Sequence, residues 1–535
     1  MTIGLLAAIT CTANISMADP QDNLTAEEWQ AELRYMAEKM PEVHKNLFHK
    51  MTRQQFEQAV ERLHARIPSL TRHGVIVEMA RIVALINDGH TRIDFTRDAA
   101  IGFRRLPLRL YLYEDGLYVH AAATEYAHAV GARVVRIGNV SAEDAAAAVG
   151  QVVSYDNEMM IKDVLPHRLV IPEILHALGL VDQVDAAEFV VVDSRGKEHA
   201  LSLSPVTADA DIAWVDVRSD KTPAPLWLRD PANAYWHEYL PESRTMYLQY
   251  NAVTNKADEP LADYVKRLFQ EIESAAVDRL IIDLRLNQGG NNFLNWPLIY
   301  AIIRSDKINQ RGRLFAIVGR ATFSAAMNCA NALEHHTKVL FVGEPTGASP
   351  NHYGDATRLV LPKSGISVYT STLYWQDSYP WDERPSIEPF IAAEPTFASF
   401  RDNQDPAMEA ILNYDPEQEL APRLDDALSL GDVKEAIRRY HSYREKPENK
   451  YVDTERTMNR FGYRLLGMER YQEAIQVFEL NVEAYPASFN VYDSLGEAYL
   501  KNGDVAAAVR NYEKTLQLNP NNPNAEAIVK KHRAK

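Results

Sequence analysis

At 535 residues, with 46% hydrophobic and 24% charged positions, the chain is too long for one hydrophobic core and has a globular composition, which points to three or four domains. A formal net charge of -16 argues against a phosphate backbone as main partner, because nucleic-acid binders concentrate Lys and Arg to displace counterions. Two cysteines, Cys11 and Cys329, leave little scope for a disulfide framework.

The opening "MTIGLLAAITCTANISMADP" combines a short apolar run with the small residues Ser16 and Ala18 ahead of Asp19. It predicts a signal peptide over 1–18 and an exported, periplasmic or secreted protein, although the usual basic start is missing; a disordered apolar tail is the alternative. Cys11 would leave with it. No later apolar run approaches the roughly 18 residues of a membrane span.

Residues 24–95 carry apolar positions at helical spacing in "TRQQFEQAVERLHARI" and "HGVIVEMARIVALI", with Thr25 offered as a cap, and predict a small helical domain. Over 103–205 the texture changes to short β-rich runs such as "LRLYLYEDGLYVHAA" and "ARVVRIGNV", which predict a mixed β-rich domain. Strand-like and helical runs then alternate over 240–395, the pattern of crossover units around a mainly parallel sheet. In such sheets sites form where strands end and helices begin.

Over 418–535 an internal repeat has a period of 34: Tyr492, Leu495, Gly496, Tyr499, Ala508, Tyr512 and Pro520 align with Met458, Phe461, Gly462, Leu465, Ala474, Phe478 and Pro486. This is the tetratricopeptide helix-turn-helix pattern, in which small residues let paired helices approach and aromatic residues fill the space between them. A looser unit, "LSLGDVKEAIRRYHSYREKP", precedes the two, and "NAEAIVKKH" reads as a closing helix.

Three stretches carry candidate chemistry. In "GRATFSAAMNCANALEHH" at 319–336, Ser324 stands between a strand and a helix, as either a helix cap or a nucleophile beside unpaired N–H groups. In "LIIDLRLNQGGN" a glycine pair follows a buried apolar run, where a bare backbone can aim N–H groups at developing negative charge; an ordinary strand-ending turn reads the same way. In "LINDGHTRIDF", His90 occupies a short turn between a helix and a strand.

Together these stretches resemble the S41 family of serine peptidases, the tail-specific and tricorn-like proteases, over roughly residues 25 to 395. The resemblance implies a ClpP/crotonase-like βα core within a multidomain α/β plus all-α chain. It implies Ser324 as nucleophile, the N–H groups of Gly290 and Ala325 as the oxyanion hole, and "DGHT" as the His-bearing turn of the tricorn-like branch. The Lys that Ser-Lys members carry in the "GE" turn has no counterpart in "GEPTGASPNHYGD", where Ser349 stands, so His90 is expected as the base. "ERPSIEP" resembles the downstream Glu motif of that branch, with Ser386 where Gly is usual, and makes Glu383 the expected orienting carboxylate. Gly89 replaces the relay Ser before the His, so Glu383 must reach the imidazole directly, through another hydroxyl, or not at all. Met327 replaces an acid that many members carry three residues after the nucleophile.

His352 is a rival base, whereas His335 and His336 lie about 16 to 18 Å along the helix from Ser324, too far to serve. No zinc-spaced His or Cys pair and no phosphate-binding loop is present, so no cofactor or metal is expected. The 103–205 domain has the layout of a PDZ-like module able to take a peptide by strand addition, or of a plain structural β domain. The function expected is an exported serine peptidase acting on polypeptides, with the repeats as a docking arm for a protein partner or for self-association. A non-catalytic binding protein on the same scaffold and a small-substrate esterase or amidase are the alternatives.

Overall fold

The computed structural model describes residues 24–218 and 222–533, and the chain divides into two units, Met1–Thr222 with Gly347–Ser386, and Pro223–Thr346 with Ile387–Lys535. The segment expected as a leader lies outside the described residues. Among them, no helix is long and apolar enough to cross a membrane.

In the first unit three helices, Ala26–Val43, Arg53–Arg66 and Arg72–Ala84, begin at Thr25, Thr52 and Thr71, each accepting a hydrogen bond from the backbone of the first turn. Thr25 and Thr52 form full capping boxes with Glu28 and Gln55. An antiparallel sheet follows, ordered Leu108–Tyr113, Gly116–Ala123, Arg133–Ile137, Ala187–Val192, Glu198–Leu203, with Val140–Ser141 and Trp214–Asp216 on its margins. The helices and the sheet were expected as separate domains. Instead one core, including Leu33, Val75, Leu106, Val119, Leu175 and Phe189, runs through both.

The same unit takes in a hairpin from far downstream. Strands Asn351–Val360 and Ser367–Gln376 pair antiparallel, and the second pairs with Arg92–Ile93, joining Arg92 to Tyr369. Val368 and Ile366 of the hairpin enter the shared core. Residues 347–386 therefore interrupt the stretch expected as one peptidase core.

The second unit holds a six-stranded sheet ordered Ile391–Ala392, Leu340–Gly343, Leu314–Val318, Arg279–Asp283, Thr245–Tyr250, Tyr235–Leu240. Every pairing is parallel except the last. The parallel strands Thr245–Tyr250, Leu314–Val318 and Leu340–Gly343 are buried end to end because helices such as Leu261–Ser274, Trp296–Arg304 and Ala325–His336 supply the crossovers. Helices continue from Leu420–Ser429 to Pro523–Arg533. Within the repeats, a Cβ placed on Gly462 would stand 2.5 Å from the Phe478 ring and one on Gly496 would stand 3.1 Å from Tyr512. Each glycine thus admits the aromatic ring 16 residues onward, the contact implied by the repeat.

Candidate active site

Ser324 ends the turn that follows the buried strand Leu314–Val318 and precedes helix Ala325–His336. The turn is braced from within: Gly319 N–H donates to Thr322 Oγ1 at 3.1 Å, and Thr322 Oγ1 donates to the Leu284 carbonyl at 2.9 Å. Phe323 N–H donates to the Asn287 carbonyl at 3.1 Å. Ser324 itself adopts φ 56° and ψ -126°, a strained conformation for a residue with a Cβ. Its hydroxyl makes no capping hydrogen bond to the helix. The capping alternative therefore falls away.

The glycine pair lies against this turn. A Cβ on Gly289, at φ +106°, would stand 2.7 Å from Ser324 Cβ and 2.8 Å from Ala325 N. Gly290, at φ +139°, bridges Val253: Val253 N–H donates to the Gly289 carbonyl at 2.9 Å and Asn291 N–H to the Val253 carbonyl at 2.8 Å. The Gly290 amide takes no part in that pairing. Among the described residues neither it nor the Ala325 amide donates to a backbone acceptor. Two donors are thus left beside Ser324, the composition an oxyanion requires.

Buried amides hold the two segments in place. Asn287 donates from Nδ2 to the Tyr250 carbonyl at 2.8 Å and accepts from Gly289 N–H at 2.9 Å. Asn295 accepts from Tyr250 Oη at 2.9 Å and donates to the Ala325 carbonyl at 2.9 Å. Arg320 and Glu344 form a buried ion pair at the strand ends, with Arg320 Nε donating to Glu344 Oε2 at 3.0 Å.

His90 lies in the first unit, buried in the turn between helix Arg72–Ala84 and strand Arg92–Ile93. Asp88 organises this turn, accepting from His90 N–H at 2.9 Å, Thr91 Oγ1 at 2.6 Å and His44 Nε2 at 3.0 Å. Burial alone would raise the Asp88 pKa, but the hydrogen bonds from His44 and Thr91 help to outweigh it and hold the carboxylate well below its usual range. The Tyr353 carbonyl accepts from the His90 ring. Burial first, then the neighbouring His352, push the His90 pKa down to about 3, so at neutral pH the imidazole is a neutral acceptor.

His352 stacks on His90 with ring centroids 5.9 Å apart and planes 10° from parallel. Its Nδ1 is engaged with the Ser349 carbonyl at 3.1 Å, and burial lowers its pKa. Glu383, also in the first unit, has an exposed side chain. Burial and then the Glu383 charge raise the Tyr374 phenol pKa. The hairpin backbone at Tyr353 holds the His90 ring.

The structure thus brings Ser324, Ala325, Gly289 and Gly290 together in one unit, and His90 with Asp88, His44 and His352 in the other. Sequence reasoning missed Asn287, Asn295, Thr322, Asp88 and Asp156, the last accepting from Gly89 N–H at 2.7 Å. Only the polar residues crowding each motif signalled them.

The fold and the Ser324 turn define an α/β chain with a strand-turn-helix site and a repeat tail. The tetratricopeptide repeat model matches residues 489–522. No curated protein sequence matches the chain. Among solved structures, mature CPAF complexed with lactacystin is similar at a TM-score of 0.52 and 12% identity, over 74% of this chain and 100% of that one. Mature CPAF alone gives 0.50 and 12%, over 73% and 96%. The photosystem II D1 C-terminal processing protease is 14% identical at a TM-score of 0.36, over 72% and 96%. The fold is similar to that of mature CPAF, with tetratricopeptide helices at the C-terminus.

Proposed function

We propose that the protein is a serine peptidase that cleaves polypeptides through an acyl-enzyme on Ser324. The observation that carries this reading is the strained, non-capping Ser324 against a glycine pair, with two amides left for an oxyanion. In the proposed reaction His90 accepts the Ser324 proton as Oγ attacks the scissile carbonyl. The Gly290 and Ala325 amides bind the tetrahedral oxyanion, and the imidazolium then protonates the leaving amine. Water, activated by the same imidazole, releases the acyl group and restores the hydroxyl.

Burial disfavours the imidazolium that the first step creates, and the Asp88 charge offsets part of that cost. Glu383, which is exposed, is assigned an electrostatic part as the carboxylate of the site. Export belongs to the same proposal, and so does a docking role for the repeats. Lactacystin, found in complex with CPAF, is a natural second probe of the nucleophile.

The deciding experiment is labelling with a fluorophosphonate, followed by peptide mapping. Modification at Ser324, lost in Ser324→Ala, supports the hydrolase; an unmodified, folded wild-type chain supports the binding protein instead. For the repeats, the chain should be cut before Pro416. That cut removes Glu419, paired with Arg311 at 2.9 Å, and Tyr451, which donates to Glu394 at 2.6 Å. Short-peptide hydrolysis should survive while protein-substrate hydrolysis weakens. Equal loss of both would make the repeats a buttress.

A further inference from the structure

We propose that Asp156 is a positioning residue for the base: its carboxyl group holds the Gly89 N–H and thereby fixes the turn on which His90 stands. The inference rests on the peptidase reading above.

Asp156 Oδ1 accepts from Gly89 N–H at 2.7 Å, one residue before His90. The loop that carries it is itself pinned. Asn157 caps helix Glu158–Arg168 by accepting from Met160 N–H at 3.1 Å, and its Nδ2 donates to the Pro385 carbonyl at 2.6 Å. Asp156 Oδ2 is shielded from solvent and has no hydrogen-bond partner, and among the described residues no cation pairs with the group. A shielded carboxyl without a cation costs stability, and such costs concentrate at functional sites.

Two influences set its protonation state: burial, and then the Asp88 carboxylate on the turn it supports, raise its pKa to about 8, with the Gly89 N–H acting in the opposite sense. At pH 7 Asp156 is therefore chiefly a neutral acid whose Oδ1 acts as an acceptor. Asn supplies the same acceptor without charge. Ala supplies none.

The test uses the full-length chain as wild type, Asp156→Ala and Asp156→Asn. One readout is inactivation by diisopropyl fluorophosphate, resolved into its limiting rate and its half-saturating concentration. A second, independent of turnover, is the rate at which diethyl pyrocarbonate modifies His90, followed by peptide mapping. In Asp156→Ala the limiting rate should fall by about 10- to 100-fold, with the half-saturating concentration little changed. His90 modification should quicken, because the loosened turn exposes the ring. Asp156→Asn should recover most of both.

An Ala variant with wild-type inactivation and wild-type His90 reactivity overturns the proposal, and so does a folded Asn variant that recovers neither. If Asp156→Ala does not fold, the Asn variant decides by the same two readouts. If the wild type is not modified at Ser324, the peptidase reading fails, and the His90 reactivities alone decide whether Asp156 positions the turn.

Discussion

Around Ser324 the partners are backbone groups and the neutral side chains of Thr322, Asn287 and Asn295. Around His90 they are ionisable: Asp88 and His44 on hydrogen bonds, His352 stacked on the ring, and Asp156 beneath Gly89. The first turn owes its shape to sterics, since Gly289 and Gly290 sit where any Cβ would strike backbone. The second owes its shape to charge. The Ser324 turn is thus set mainly by steric fit and the His90 turn mainly by groups that titrate.

The largest expected effect removes either reacting group. Ser324→Ala and His90→Ala should each lower kcat/KM by about 10⁴- to 10⁶-fold, and the double variant should lose little more, because residues acting as one unit lose activity non-additively. Peptide hydrolysis measures this, with His352→Ala as the contrast. Near-complete loss in His352→Ala with retention in His90→Ala would assign the base to the wrong ring.

Next comes the steric turn. Gly289→Ala should lower turnover by about 10²- to 10³-fold, the magnitude of losing one oxyanion donor, since the added methyl would press on Ser324 Cβ and Ala325 N. Its activity loss should be the same at every pH. A loss that varies with pH would blur the distinction between the two turns.

The charged turn predicts pH-dependent stability with opposite signs on its two sides. His90 titrates at about 3 in the folded chain against an ordinary 6.5, so the unfolded chain binds more protons between these values and stability falls as pH drops through them. Asp156 is raised from 3.8 to about 8, so its contribution is complete below 3.8 and is lost as pH rises through 8. Urea unfolding should show Asp156→Asn gaining on wild type across that window, by at most about 1.4 kcal/mol per pH unit. Parallel curves would remove Asp156 from the account.

Glu383→Gln should have the smallest effect. Because the carboxylate is exposed and screened by solvent, its loss should change kcat by only about threefold and leave KM alone. A loss near that of His90→Ala would restore it to the orienting position expected from its motif.

What was legible in the sequence was local. The strand-turn-helix around Ser324, the glycine pair and the 34-residue repeat each declare themselves through spacing within a few tens of residues. The shared core of the first unit did not, because nothing near Leu33 or Phe189 indicates that helix and sheet bury surface on each other. The pairing of Arg92 with Tyr369 was hidden for the same reason. Asp156 was invisible because its role comes from one long-range hydrogen bond to Gly89 rather than from any pattern about itself. Glu383 shows the converse: its motif matches, yet exposure and contact are set by the path of the loop, which the motif does not encode.

The hairpin has a consequence for how the chain emerges during synthesis. Its excursion is clasped at the base, where Thr346 N–H donates to the Ile387 carbonyl at 3.2 Å and Ile387 N–H to Thr346 Oγ1 at 2.9 Å. Lys45 N–H meanwhile awaits the Ser371 carbonyl, and Thr91 Oγ1 awaits the Ser371 N–H. A ribosome delivers residues in order, so the three-stranded sheet that seats His90 cannot close until some 280 residues after His90 has appeared, by which time Ser324 is already outside. The nascent protein therefore carries the Ser324 turn before the His90 turn is locked, and vectorial translation by itself postpones that closure until about 70% of the polypeptide has been made.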